Sequence, residues 1–166
     1  MLKRFYPDKE APSAYRIDYE KLYRQGFRGI IFDIDNTLVP HGAPADRQAV
    51  RLFRRLRSIG FTTVLLSNNK EPRVKSFADQ VESAYIYKAG KPGTAGYKKA
   101  MDIMGSNQET TLFIGDQLFT DVWGAKKAGI RTYLVSPIHP KEEIQIVLKR
   151  KLEKIVLYFY HRSLKK

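Results

Sequence analysis

Apolar residues along this chain gather in short solid runs, separated by longer stretches in which they recur every three or four positions. Phe27-Arg28-Gly29-Ile30-Ile31-Phe32 is a short, mostly apolar run that ends in Asp33-Ile34-Asp35. Such a run reads as a buried strand. Ala49, Leu52, Phe53, Leu56 and Ile59 then recur at helical spacing from Arg47, and Gly60 supplies the stop. Phe61 to Ser67 is rich in β-branched residues and reads as a second strand. Pro72 opens a helix that carries Val74, Phe77, Ala78 and Val81 on one face. Ala84 to Ala89 is a third strand. Thr94 to Met104 is a helix with Tyr97, Ala100, Met101 and Met104 on one side. Thr110 to Gly115 is a fourth strand, Thr120 to Ala128 a helix that stops at Gly129, and Arg131 to Val135 a fifth strand.

Strand and helix alternate throughout, which predicts an α/β fold: a Rossmann-like, five-stranded parallel sheet with helices on both faces. The core so defined runs from 27 to 137. Residues 1–26 form an N-terminal extension broken by Pro7 and Pro12, with a short helix over Asp18–Arg24. Residues 138–166 form a basic amphipathic C-terminal helix. In it Ile144, Val147, Leu148, Leu152, Ile155 and Phe159 share a face, and from Lys141 onward eight Lys and Arg stand against three Glu. Such a helix either packs its apolar face on the sheet domain or lays it on anionic lipid headgroups.

Composition narrows the function. The 166 residues hold 30 Lys and Arg against 17 Asp and Glu, a net charge of +13. That surplus points to an anionic partner: nucleic acid, an acidic membrane face or a phosphorylated substrate. With no cysteine, disulfides, thiolate metal sites and cysteine nucleophiles are excluded. No apolar run approaches the length of a transmembrane helix, and MLKRFYPDKE has no apolar signal region. A cytoplasmic protein is expected, held peripherally on the inner face of the membrane if its partner is lipid.

The chemistry stands at the strand ends, where parallel sheets bind ligands. The first strand ends in Asp33 and Asp35, the second in Ser67-Asn68-Asn69, the segment after the third holds Lys91-Pro92, and the fourth ends in Gly115-Asp116, with Asp121 beyond. Two carboxylates two residues apart project to similar sides of a strand. One can attack phosphorus while the other moves protons. The further acids Asp116 and Asp121 would repel an anionic substrate unless a hard cation such as Mg²⁺ lay among them. Lys91 opposes charge on a transferring phosphoryl group, and Ser67 and Asn68 can donate to its oxygens. His41, His139 and His161 are scattered and read as structural or solvent-facing. Trp123 reads as core, and the arginines of residues 47–57 as a solvated helix face or a phosphate-contacting one.

These residues resemble the four motifs of the haloacid dehalogenase superfamily of phosphohydrolases. Asp33-Ile34-Asp35-Asn36-Thr37-Leu38 resembles the first motif, Ser67 the second, Lys91 the third, and Gly115-Asp116 with Asp121 the fourth. The resemblance covers roughly residues 27–137. It implies a sheet ordered 5-4-1-2-3 with Asp33 on the central strand. It further implies Asp33 as nucleophile, Asp35 as general acid and base, and Ser67 and Lys91 as phosphate holders. Mg²⁺ would be bound by Asp33, the main-chain carbonyl of Asp35 and Asp116, with Asp121 close by.

Neither Leu38–Ser67 nor Asn68–Lys91 has room for an inserted cap, because folded domains rarely fall below about 50 residues. The capless pattern resembles subfamily IIIA, which includes phosphatases of sugar phosphates, nucleic-acid ends and phosphatidylglycerophosphate. The stretches YEKLYRQGFR, FDIDNTLVP, SNN, KAGKP and GDQLFTD are similar to the bacterial group related to mitochondrial phosphatidylglycerophosphate phosphatases. The resemblance therefore implies a lipid-linked phosphomonoester as substrate and an anionic membrane as partner. The competing readings are a nucleic-acid-end or soluble phosphatase, and a basic nucleic-acid or ribosome-binding module without activity.

Overall fold

The computed structural model describes residues 1–139 and 144–165. Four residues of the expected C-terminal segment, Pro140 to Glu143, and Lys166 lie outside the described residues. The centre is a fully parallel sheet of β1 (Lys9–Ala11), β2 (Gly29–Phe32), β3 (Thr62–Leu66), β4 (Ala84–Ile86), β5 (Thr111–Gly115) and β6 (Arg131–Val135), in the order β1-β6-β5-β2-β3-β4. The five expected strands take the expected order around β2. Among the described residues the sheet has six strands rather than five, because Lys9–Ala11 pairs with Tyr133–Val135 at one edge. Its signal was hidden by length and polarity: three residues, KEA, with no apolar alternation. It is held instead by Asp8, whose carboxylate accepts from the Thr132 N–H and hydroxyl at 2.8 and 3.0 Å.

Alternation along the strands sorts the core onto two faces. Ile30, Phe32, Leu65, Leu112 and Ile114 pack with α1 (Tyr19–Arg24), α2 (Arg47–Ile59) and α3 (Glu71–Val81), through Tyr19, Phe53, Leu56 and Phe77. Ile31, Val64, Leu66 and Phe113 turn the other way, toward Tyr97 and Ala100 of α4 (Ala95–Met104) and Ala125 of α5 (Trp123–Lys127). Both faces of the sheet are covered, which is why its strands are solidly apolar. The expected stop at Gly60 is present, and the opposite end of the same helix carries a side-chain cap that was not read from the sequence. Asp46 caps α2 by accepting from the Ala49 N–H at 2.8 Å, and Gly60 leaves it at φ 119°, in the left-handed region.

The Thr120–Ala128 helix differs from expectation. A π-helical turn spans Leu118–Val122 before α5 begins. The Val122 N–H reaches back five residues to the Gln117 carbonyl at 3.1 Å, and the wider turn carries Asp121 under the end of β5. Single π turns of this kind tend to mark functional positions.

The C-terminal helix α6 (Ile144–Leu164) lies against the β6 side of the sheet. Its inward residues are Glu153, Val156 and Tyr160; Val156 packs with Leu118, Val122 and Leu134. The Tyr160 ring meets Tyr6 at 5.2 Å, and His161 bonds Glu10 at 2.7 Å. The stripe singled out by periodicity, with Val147, Leu148, Leu152, Ile155 and Phe159, faces solvent. Among the described residues no helix is long and apolar enough to cross a membrane.

Phe32 is fully buried, between Tyr19 and Phe53. Replacing it with Ala is expected to cost about 3–5 kcal/mol, measured by urea denaturation. A loss below ~1 kcal/mol would contradict this packing.

Candidate active site

Register brings the motif residues to one edge. Phe32 lies opposite Leu65 on β3 and Ile114 on β5, so Asp33, Ser67 and Asp116 follow within a few residues at the same end of the sheet. The Asp33 N–H still bonds the Ile114 carbonyl at 3.0 Å, which fixes the backbone of the first carboxylate. The chain then reverses at Asn36, with φ 60°, a conformation Asn tolerates better than most residues. The reversal sets the Thr37 hydroxyl between two acids, 3.0 Å from Asp116 Oδ1 and 3.3 Å from Asp33 Oδ2.

Asp33, Asp116 and Asp121 are all buried and offer one oxygen each within 4.8 Å of one another. Lys91 is their countercharge: its buried ammonium lies 2.9 Å from Asp33 Oδ1 and 2.7 Å from Asp121 Oδ1. Asn68 sets the position of Lys91. Its side-chain carbonyl accepts from the Lys91 N–H at 2.8 Å, and its amide nitrogen donates to the Lys91 carbonyl at 3.1 Å. Both ends of the Asn68 side chain are thus engaged with main chain rather than aimed only at a ligand. Ser67 is buried, and its hydroxyl accepts from the Asn69 N–H at 3.1 Å.

Asp35 points elsewhere. Its carboxylate accepts from the Gly42 N–H at 2.8 Å and from Arg73 at 2.9 Å, with His41 at 4.0 Å. It is not part of the carboxylate cluster, so only its main-chain carbonyl remains for the metal role expected of it. Asp33, Asp35, Ser67 and Lys91 nevertheless open onto one cavity of about 330 Å³, which His41 and Lys149 also line. A larger cavity, about 590 Å³, lies between α6 and the β1–β6 edge and touches the cluster only at Asp116. The other candidate side chains, Asp33, Asp35, Ser67, Lys91 and Asp121, all open on the smaller one.

Electrostatics separates the carboxylates. Burial pushes the Asp33 pKa well up; Lys91 pulls it down, while Asp121 and Asp116 push it further up. Burial and the Asp121 charge raise Asp116 to about 6, against the pull of Arg150 and Thr37. Lys91 is held firmly charged: burial disfavours the ammonium, but Asp121 and Asp33 outweigh it. Burial also acts upward on Asp35, yet the Gly42 N–H and Arg73 together leave its pKa below the usual carboxylate value. A divalent cation fits the cluster by donor chemistry. Three buried carboxylates offer hard oxygen ligands, and a cation among them reverses the repulsion that raises Asp33.

Sequence comparison places the chain. The model of the haloacid dehalogenase-like hydrolases matches residues 46–129. The Bacillus subtilis (strain 168) protein named "Probable phosphatase YqeG" is 36% identical over 159 residues, covering 95% of this chain and 92% of that protein. The chain belongs to the haloacid dehalogenase-like hydrolases. It is a phosphatase of that family, which generally uses a divalent metal. It is also 28% identical over 162 residues to "Phosphatidylglycerophosphate phosphatase 1, chloroplastic/mitochondrial" of Arabidopsis thaliana, covering 90% of this chain but only 45% of that protein. Among solved structures, the cobalt-bound deoxy-D-mannose-octulosonate 8-phosphate phosphatase of Haemophilus influenzae shares the fold. Its TM-score is 0.53 at 14% identity, with 86% of this chain and 93% of that one covered.

Four residues of this hydrolase site escaped sequence reading. Arg150 of α6 ion-pairs with Asp116 and donates to its main-chain carbonyl at 2.5 Å, while Glu153, one turn on, bonds Arg150 at 3.0 Å and accepts from the Leu118 N–H at 2.8 Å. Arg73 and Thr37 are the others. Arg150 comes from 34 residues away, and a basic residue on a basic helix carries no distinguishing signal. Thr37 sat within the first motif, where a hydroxyl following two acids was the signal that could have marked it.

Gly115 marks how tightly the cluster is packed. A Cβ there would stand 2.6 Å from Asp121 Oδ2 and 2.7 Å from the Phe113 ring. Gly115→Ala is expected to lower stability by about 1–3 kcal/mol by overpacking and to reduce phosphate release from a soluble phosphomonoester. Unchanged stability and activity together would contradict the described placement of Asp121.

Proposed function

We propose that this phosphatase is Mg²⁺-dependent, works through an aspartyl-phosphate on Asp33, and removes phosphate from a lipid-linked phosphomonoester, phosphatidylglycerophosphate, at an anionic membrane surface. The observation that carries the mechanism is the Lys91 ammonium bridging Asp33 and Asp121 in a buried carboxylate cluster that opens on a cavity. Asp33 is the nucleophile: one of its oxygens bonds to phosphorus as the alcohol oxygen leaves. Asp35 protonates that oxygen and later takes the proton of the water that hydrolyses the acyl phosphate. Lys91 and Ser67 hold the phosphoryl oxygens, and Asn68 fixes Lys91. Asp33, Asp116, Asp121 and the Asp35 carbonyl would hold the Mg²⁺, which supplies charge neutralisation for an anionic substrate.

Support for the substrate is of another kind. One curated relative is named as a phosphatidylglycerophosphate phosphatase. Among the described residues no domain is inserted after β2 or β3 to enclose a small substrate. The net charge of +13 suits attachment to an acidic surface. We place the protein peripherally on the cytoplasmic face of such a membrane.

Phosphate release from phosphatidylglycerophosphate, soluble phosphomonoesters and 3′-phosphorylated oligonucleotides, compared with Mg²⁺ present, tests the substrate. The lipid is expected to be turned over fastest; an oligonucleotide preference would assign the basic surface to nucleic acid instead. Asp33→Asn is expected to lower turnover about a thousandfold or more, and wild-type turnover would refute the nucleophile.

Arg73→Met tests Asp35. Removing the cation leaves burial less opposed, so the Asp35 pKa rises. Formation of the phospho-enzyme consumes the protonated form, so activity falls as pH rises through that pKa. The alkaline limb of kcat/KM is therefore expected at higher pH in the variant; a limb that stays in place or moves lower contradicts the assignment.

A further inference from the structure

Helix α6 is apolar on two sides, and the fold uses only one. Val156 and Tyr160 are buried against the body, with Leu157 partly buried beside them. Leu148, Leu152, Ile155 and Phe159 point the other way and are 58, 57, 53 and 44% exposed. At 100° per residue they fall within a narrow arc, and Val147 and Tyr158, also exposed, extend it. Side chains of this size are seldom left in contiguous display without a partner.

The charges around the arc identify that partner. The one acid between Ile144 and Leu164 is Glu153, and it is turned inward onto Arg150 and the Leu118 N–H. Every other charged residue on the outer part of α6 is basic: Lys151, Lys154 and Arg162, all exposed. Lys151 and Arg162 fall inside the apolar arc, so a second copy laid on this face would bring like charges together. A nucleic acid would meet the lysines but leave the leucines unburied. An anionic bilayer satisfies both, taking apolar side chains into the acyl boundary and long basic ones among the headgroup phosphates.

We propose that the outer face of α6 is a bilayer-docking surface for anionic phospholipid. It rests on, and sharpens, the lipid-linked reading of the substrate. The same helix sends Ile146 and Lys149 to the rim of the catalytic cavity and Arg150 to Asp116. Docking through α6 therefore holds the bilayer against the helix whose opposite face lines the catalytic cavity, one helix diameter, roughly 10 Å, from its mouth.

The test is sedimentation of the full chain with vesicles of phosphatidylglycerol and phosphatidylcholine, against vesicles of phosphatidylcholine alone. Wild type is expected to bind the anionic vesicles and to weaken as salt rises. Leu148→Ser/Leu152→Ser/Ile155→Ser keeps every charge and is expected to bind at least about tenfold more weakly. Hydrolysis of p-nitrophenyl phosphate by the variant should be unchanged, since none of the three residues lines the catalytic cavity; this also verifies that the variant folds. Lys151→Glu/Lys154→Glu is expected to lose the preference for anionic vesicles. Wild-type vesicle binding by the serine variant overturns the proposal. So does a wild-type dimer that the serine variant dissolves, which would give the face to a second copy, or anionic-vesicle binding that is lost only with the lysines, which would leave the apolar arc without a role. Binding needs no turnover: vesicle binding with no release of phosphate from phosphatidylglycerophosphate would sink the substrate reading and leave the docking face standing.

Discussion

Asp33, Asp116 and Asp121 place three carboxylates within 4.8 Å of one another in buried positions, and much of the surrounding structure answers that charge. Isolated buried carboxylates are costly to keep ionised, and like neighbours raise the cost. Among the described residues two cations from different elements meet this charge. Lys91 comes from the loop after β4 and bridges Asp33 to Asp121; Arg150 comes from α6 and pairs with Asp116. Asn68 fixes the first by its main chain and Glu153 anchors the second. The π turn over Leu118–Val122 and the bare Cα of Gly115 both serve the third acid, one by carrying it back under the strand and the other by leaving room for it.

That balance sets four buried acids, Glu153 included, against Lys91 and Arg150 among the described residues. It also separates the two aspartates of the first motif. Burial and like charges raise the pKa of Asp33, while the Gly42 N–H and Arg73 lower that of Asp35, only two residues on. Alternation along the extended chain permits this division. Side chains two apart share a side of the strand, but the turn at Asn36 begins at once and gives Asp35 its own neighbours.

The C-terminal helix ties the charge problem to the surface of the molecule. Its inward face pairs with Asp116 and lines the mouth of the cavity. Its outward face remains apolar and basic. A helix with two such faces gives a weak signal by periodicity alone, because apolar residues are spread around most of its circumference. The stripe that periodicity selected turned out to be the outer one, since the inner face was broken up by Arg150 and Glu153, charged residues whose partners lie elsewhere in the chain.

What the sequence determined by itself was everything local or periodic. The solid runs defined the five core strands, the spacing of Leu52, Phe53 and Leu56 or of Phe77, Ala78 and Val81 defined helices, and Asp33, Ser67, Lys91 and Asp116 stood in order at successive strand ends. Short elements and long-range pairings were not legible. β1 has three residues and owes its place to Asp8 meeting Thr132 across the fold. The engagement of Asn68 with Lys91, of Arg73 with Asp35 and of Arg150 with Asp116 joins residues 23, 38 and 34 positions apart. Such contacts depend on the register of the sheet and on how helices pack upon it, and a linear pattern encodes neither. The chemistry at the strand ends was therefore fixed by residue type and order, whereas the countercharges that hold it, and the face of α6 left for a partner, were decided only when the chain was folded.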